Sequence, residues 1–454
     1  MVECVALRDR LDRPVQTDPS PTQPPSPAPS SAVTVLRHRE VRDLLVANFL
    51  LYTAVSLQAA ALMKEVYDIS GRKADLGWIG LCEFVPSFLL VLVTGPLADR
   101  MNRKVLALIA IGVELLATGG LILYSLGDPH EVWPFFLIAL LYGTGRAFAA
   151  PAMRTMPPMV APEGELPKVI ALYSGTWTAA TILGPAASGL LYAVRPSLAY
   201  GTTAVLIVIA MVMLADVHFL RQPDPPAPDE RPSMRHAMEG LRFIRRTPIL
   251  LAAISLDLFA VLFGGAVALL PDIAKERLGV GDVAYGFLRA APGIGAALMA
   301  VVLAARPVTR RVGRTLLIAV AVFGVATVVL GLTRSYWLAF VALMILASAD
   351  MISVFIRGSL VPLVTPDEKR GRVMAVENVF IGASNELGAF ESGIVAQLAG
   401  TPATVIGGGV ATVVVVGAWW TLFPSLRDVD RFEDLDPDAP DAPDASAAAA
   451  PATP

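Results

Sequence analysis

The sequence has little charge, little cysteine and few histidines, and each scarcity removes a class of protein. Charged residues make up 17% of the 454 positions, against roughly 25% in a soluble globular chain. The two cysteines, Cys4 and Cys82, stand one in a polar tail and one in an apolar run, so no disulfide framework is implied. His38, His130, His218 and His236 share no metal-ligand spacing, and no metal site is expected. No Gly-Lys dipeptide occurs, which excludes a Walker A loop and argues against ATP-driven pumping. No nucleophile, base and acid constellation or cofactor loop stands out, so the chain does not read as an enzyme. The net charge of -3 gives no ground for a nucleic-acid partner.

The missing charge is replaced by Ala, Val, Leu, Ile and Gly, and 55% of the chain is hydrophobic. A run of roughly 20 such residues crosses a hydrocarbon core of about 30 Å. Runs of that length predict spans near 43–66, 75–98, 104–126, 131–152, 168–193 and 198–220, then near 248–272, 282–305, 314–333, 336–356, 373–398 and 402–423. The expected domains are a Pro/Ser-rich tail over 1–34, a first bundle over 35–220, a linker over 221–247, a second bundle over 248–425 and an acidic, Ala/Pro-rich tail over 426–454. Both tails are expected to be disordered, because neither can bury a core. The linker ends in a basic amphipathic stretch, Met234 to Arg246. The first 34 residues lack an apolar core, so the first span, not a cleavable signal peptide, is expected to direct insertion.

Lys and Arg crowd into the loops on the side of Arg100 and are sparse in the opposite loops. That bias predicts a multi-pass protein of the cytoplasmic (inner) membrane with both termini in the cytoplasm. The two halves also repeat. Pro158, Val160, Pro162, Ala171, Leu183, Gly184, Ser188 and Gly189 match Pro362, Val364, Pro366, Ala375, Leu387, Gly388, Ser392 and Gly393 at one constant spacing. Chance similarity between apolar helices would not keep Pro, Gly and Ser in one register.

The turn between the second and third spans reads Gly95-Pro96-Leu97-Ala98-Asp99-Arg100-Met101-Asn102-Arg103-Lys104. It resembles the signature loop of the major facilitator superfamily, Gly-x-x-x-Asp-Arg-x-x-Arg-Arg/Lys, with Gly95, Asp99, Arg100, Arg103 and Lys104 in register and Asn102 where Gly is usual. The second-half counterpart, Arg306 to Arg314, keeps its basic residues and lacks the Asp. Leu241-Arg242-Phe243-Ile244, Thr365-Pro366-Asp367-Glu368 with Gly371-Arg372-Val373, and Gly382 to Gly388 resemble the enterobactin-exporter and macrolide-efflux-like branch. The resemblance covers about 37–425. It implies an all-α membrane protein, with 12 transmembrane helices in two pseudo-symmetric six-helix bundles related by a parallel repeat. It also implies proton-coupled export of a small amphiphile such as a siderophore or drug, with the proton gradient as energy source and no cofactor. The resemblance places Asp99 near the start of span 11, as part of a latch between the halves that breaks when that side opens.

Gly184-Pro185-Ala186-Ala187-Ser188-Gly189 in span 5 resembles the antiporter signature Gly-Pro-x-x-Gly-Gly, with Ser188 in place of one Gly. On the exporter reading, Gly184, Pro185, Ser188 and Gly189 form a close seam that seals the cavity in one state; generic small-residue packing is the plainer account.

Ionisable residues are costly in hydrocarbon and usually mark a pathway. Those within the spans are Glu83, Glu114, Arg146, Asp257, Arg289, Asp350, Glu377, Glu386 and Glu391. Asp257 and Glu386, nearest mid-span, are the expected proton-coupling sites, with Glu83 third; a structural bond to a neighbouring helix is the competing account of each. Arg146 and Asp350 are repeat-equivalent and opposite in charge, and are expected to pair when the cytoplasmic side closes; snorkelling of Arg146 to the headgroups and local pairing of Asp350 with Arg357 is the competing account. Asn48, Tyr52, Gln58, Tyr173, Trp177, Asn378 and Asn385 are candidates for the cargo surface, since aromatic faces with a few polar groups suit flat amphiphiles. The expected partners are a small-molecule substrate and the lipid bilayer, the chain acting as a monomer. A proton-coupled nutrient importer and a non-transporting membrane sensor or assembly protein remain the alternatives.

Overall fold

A computed structural model of the chain describes residues 32–220 and 234–435, without the side chains of 32–33, 91–100 and 234–235. Most of the expected tails and the front of the linker lie outside the described residues. The apolar runs form twelve long helices: α1 Arg39–Ser70, α2 Lys73–Arg100, α3 Arg103–Leu126, α4 Trp133–Arg154, α5 Leu166–Tyr192, α6 Pro196–Asp216, α7 Pro248–Phe263, α8 Asp282–Ala305, α9 Val312–Leu332, α10 Tyr336–Val364, α11 Asp367–Ala399 and α12 Thr401–Leu422. Their ends follow local chemistry. Gly71, at φ 61°, stops α1 and donates its N–H to the Tyr67 carbonyl, the left-handed conformation glycine adopts without strain. The Asn102 side chain accepts the Lys104 N–H and caps α3, so the residue that departs from the signature loop serves as an N-cap.

Nine helices among the described residues are long and apolar enough to cross a membrane by themselves. α5 and α11 are not among them, since they carry Thr176, Trp177, Thr178 and Thr181, and Asn378, Asn385, Glu386 and Glu391. Packing explains the polarity. α1 lies along α5 and α6, α3 along α4 and α6, and α2 along α4, forming the first bundle. α9 lies along α10 and α12, α8 along α10, and α7 along α11 and α12, forming the second. The two bundles meet where α2 packs along α11 and α5 along α8. α5 and α11 thus face the other bundle as well as lipid. The outer surface leaves Leu116, Leu123, Val212, Val301, Val325 and Val414 exposed, an apolar coat that only a bilayer covers stably.

After Phe263, α7 continues through a 3-10 turn and a wide π turn to Arg277. Gly265 lets this segment pack closely on α11, because a Cβ there would meet the Gly388 carbonyl oxygen at 2.3 Å. The amphipathic stretch Met234–Arg246 is a helix laid on the start of α11. Arg372 pairs with Glu239 at 2.7 Å, and Lys369 lies over the Phe243 ring. One expectation needs correction: the segment from 426 is not disordered at its start. Residues 424–435 fold under α9, where the Gly313 N–H donates to the Val429 carbonyl and Leu426 and Val429 are buried. Asp430 accepts the Arg311 N–H, so two apolar side chains and one acid dock a segment whose composition reads as tail.

Candidate functional site

The bundles are joined at the end far from Lys104. There Lys64 of α1 pairs with Asp68 one turn on and reaches Asp282 of α8 at 3.0 Å. Asp68 also accepts from Lys275 at 3.0 Å and from the Tyr192 hydroxyl at 3.1 Å. Asp272, on the α7 extension, accepts from Tyr67 at 2.5 Å and from Thr401, and faces Lys73 at 3.7 Å. The Tyr285 hydroxyl donates to the Ala60 carbonyl, and the Lys73 N–H to Gln397. Asp68 and Asp272 stand at the repeat spacing, so one acid from each half anchors the closure. None of these residues was singled out from the sequence. Charges at span ends read as loop residues, and only the packing of the bundles brings them together.

Below this network the helices touch backbone to backbone. A Cβ on Gly189 would meet Gly286 Cα at 2.7 Å, and one on Gly393 would come within 2.9 Å of Gly77 N. Gly189 and Gly393 are repeat-equivalent, and each makes the cross-bundle contact of its half. Gly184 and Gly388 instead press on α1 and α7, near Ser56 and Leu262, inside their own bundles. The Pro185 carbonyl oxygen lies 2.7 Å from where a Cβ on Gly286 would stand, and Ser188 is buried. The small residues of span 5 therefore lie on a real seam, half within the first bundle and half across to the second.

Toward the Lys104 end this contact is lost. Gly175, Gly358, Gly371 and Gly382 have no atom beyond their own helix within 4 Å of a Cβ position, and Ser174, Trp177, Asn378 and Asn385 are exposed. From this loss of contact we infer a hollow between the bundles, shut at the far end and open at the Lys104 end.

Ionisable groups from both bundles gather at the floor of the hollow. Arg146 of α4 comes within 3.8 Å of Glu83 of α2. The Glu386 carboxylate of α11 lies against α2, 3.0 Å from where a Cβ on Gly80 would stand. Its charge acts on both Arg146 and Arg289. Glu114 of α3 is buried behind them. A second cluster lies inside the second bundle. Arg357 of α10 binds Asp257 of α7 at 2.8 Å and Glu377 of α11 at 3.4 Å. Asp257, Asp350 and Ser353 border a cavity of about 10 Å³, close to the room one water needs. Arg357 and Glu377 were not among the chosen sites, although each is a charge next to or within an apolar run.

The structure does not bring Arg146 and Asp350 together: Arg146 faces Glu83, and Asp350 stands beside Asp257 and Arg357. Asp257 and Glu386 also fall into different clusters. Two cargo candidates are misplaced. Asn48 and Gln58 are buried, where Asn48 donates to Thr176 and Gln58 accepts from Thr118, tying α1 to α5 and α3. Polarity alone could not separate a helix-to-helix bond from a cavity wall. Tyr52 and Tyr173 are half-buried, and the Tyr173 hydroxyl donates to the Met153 carbonyl. In the signature loop the side chains of Gly95, Asp99 and Arg100 lie outside the described residues. Lys104 donates to the Val217 carbonyl at 2.8 Å, and Arg103 opens α3.

Two six-helix bundles around a hollow open at one end, with charged residues at its floor, define a membrane transporter. The Major Facilitator Superfamily profile matches residues 44–356, and the chain belongs to that family. Among named relatives, the Enterobactin exporter EntS of Shigella boydii serotype 18 is 24% identical over 337 residues, covering 74% of this chain and 80% of that one. The Enterobactin exporter EntS of Escherichia coli O139:H28 matches to the same extent. Among solved structures, a bacterial homolog of the human lysosomal transporter Spinster, described as inward-facing and unoccupied, aligns with a TM-score of 0.66 at 15% identity, covering 88% of this chain and 98% of that one. The nucleoside transporter NupG aligns at 0.68 with 12% identity, over 85% of this chain and 99% of the other. The last two likenesses concern the fold.

Proposed function

We propose that this multi-pass transporter exports a small amphiphile out of the cytoplasm in exchange for protons. The excess of Lys and Arg in the loops on the Lys104 side supports a cytoplasmic placement of that end and of both termini. The hollow then opens to the cytoplasm, where an exporter loads. The likeness to proteins named enterobactin exporters and the antiporter-like seam of span 5 support that direction.

The observation that carries the coupling is the cluster around Arg357. Two carboxyl groups, Asp257 and Glu377, share the Arg357 guanidinium inside the second bundle, and a third, Asp350, borders the same small cavity as Asp257. The number of protons they hold sets the net charge of a site where uncompensated charge is expensive. Such a cluster favours one bundle arrangement when protonated and another when ionised, which is what coupling requires. Glu83 and Glu386 stand where α2 and α11 meet and are the second candidates.

The test is a proteoliposome assay with an imposed pH gradient, using siderophores, macrolides and cationic dyes as probes. Wild type should move a probe with the gradient, and Asp257→Asn should uncouple movement from it. A wild-type protein that ignores the gradient removes the coupling. Accumulation toward the Lys104 side makes the protein an importer.

A further inference from the structure

The floor of the hollow says something about the charge of the cargo, and this inference rests on the transporter reading above. Arg146 has 47% of its side chain accessible, whereas Glu83 beside it has 15%. The closest approach of the two is 3.8 Å, beyond hydrogen-bonding range. A guanidinium carries five N–H donors in a planar fork, and among the described residues those of Arg146 make only the long ion pair with Glu83. The neighbouring cation is committed: Arg289 donates Nη1 to the Val267 carbonyl at 2.7 Å. Glu386 is wedged against Gly80, and Glu114 is buried in the first bundle. Arg146 is therefore the more accessible partner of a long ion pair with Glu83, with its hydrogen-bonding N–H groups still available to a ligand.

The walls complete the fit. Trp177, 49% exposed, offers an apolar ring face on the side of the first bundle. On α11 of the second bundle, Asn378 and Asn385 each spend one amide N–H on the Met374 and Ile381 carbonyls of their own helix. Both side chains are exposed, so each has one amide N–H and its carbonyl oxygen left for a ligand.

We propose that Arg146 is the binding site for an ionised acidic group of the cargo, a carboxylate or phenolate on an aromatic body. The fork takes two oxygens at once, which a lysine cannot do. The Asn oxygens accept from hydroxyl or amide N–H groups at the other end of the cargo.

The test is equilibrium dialysis of the full chain in lipid nanodiscs, corrected with empty nanodiscs, against three radiolabelled probes on one ring system: 2-naphthoate, 2-naphthamide and 2-naphthyltrimethylammonium. Wild type should bind naphthoate at least about tenfold more tightly than the other two, the scale of one charge-assisted hydrogen bond. Arg146→Gln should erase the preference. Arg146→Lys, which keeps the charge, should retain the preference with weaker binding, and wild type tests the ranking even if a variant fails to fold. Tightest binding of the cation, a naphthoate preference that survives Arg146→Gln, or no saturable binding of any probe at millimolar concentration each overturns the proposal. The transport reading fails separately. Gradient-driven movement of the cationic probe leaves the exporter standing and removes the anion site. Arg146-dependent naphthoate binding without movement of any probe does the reverse.

Discussion

Where the first bundle places Thr53, Met153 and Tyr173, the second places Asp257, Arg357 and Glu377 at the same repeat spacing. The contact is conserved in geometry and changed in chemistry. In the first bundle the Tyr173 hydroxyl donates to the Met153 carbonyl at 3.1 Å, and the Thr53 hydroxyl donates to Phe49 within its own helix. In the second, a buried guanidinium holds two carboxylates. A neutral hydrogen bond fixes helices at any pH, whereas an ion cluster with surplus acid fixes them only in certain protonation states. On the proposed coupling through the Arg357 cluster, the first bundle is the passive half and the second the half that senses protons.

Cutting the centre of the charged triad should give the largest effect. Arg357→Met strands Asp257 and Glu377 in a low-dielectric interior, and breaking a buried pair in this way costs about 3–5 kcal/mol. A large drop in thermal unfolding temperature, or loss of monodisperse protein on size exclusion, is the expected reading. Neutralising all three members together, with Asp257→Asn, Arg357→Met and Glu377→Gln, should recover much of that stability, because replacing a whole buried pair is often neutral. Transport in the triple variant should no longer respond to a pH gradient. Gradient-driven transport that survives in it would return the coupling role to Glu83 and Glu386.

A smaller effect should follow at the far end, where the two halves are alike. Gly286→Val drives a side chain into Gly189, whose Cα lies 2.6 Å from the new Cβ, an overpacking of about 1–3 kcal/mol. The strain falls only on the arrangement that is closed at that end, so the population should shift toward the opposite opening. Spin labels at Val194 and Leu398, both exposed on opposite bundles, should move apart; an unchanged distance distribution would show that the seam does not limit opening. Asp272→Asn weakens the same closure without adding bulk. It removes a carboxylate that accepts from Tyr67 and Thr401 and faces Lys73, and should widen the same distance to a lesser degree.

These contrasts also mark what could be read without coordinates. Apolar runs and the Gly, Pro and Ser register were enough for helices, repeat and two-bundle architecture, because hydrocarbon leaves a chain few options. The small residues of span 5 were legible for the same reason, since a helix seam needs short side chains whatever its partner. Which charges meet was not legible. Lys64 lies far in the chain from Lys275 and Asp282, and the three come together only where the two bundles meet. Asn48 shows the reverse error: a polar residue in a span looks the same in sequence whether it ties two helices or faces a hollow.

The smallest change tests the passive half directly. Tyr173→Phe removes one neutral hydrogen bond to the Met153 carbonyl and keeps the ring. The net worth of such a bond is about 1 kcal/mol, and the carbonyl that loses its donor stays within a helix ladder. Thermal stability should fall slightly, and the response of transport to a pH gradient should keep its slope. If Tyr173→Phe uncouples transport as strongly as Asp257→Asn, the first bundle is not passive. The proton signal would then cross from α11 to α5, two helices that occupy equivalent places in the repeat and do not need to touch to move together.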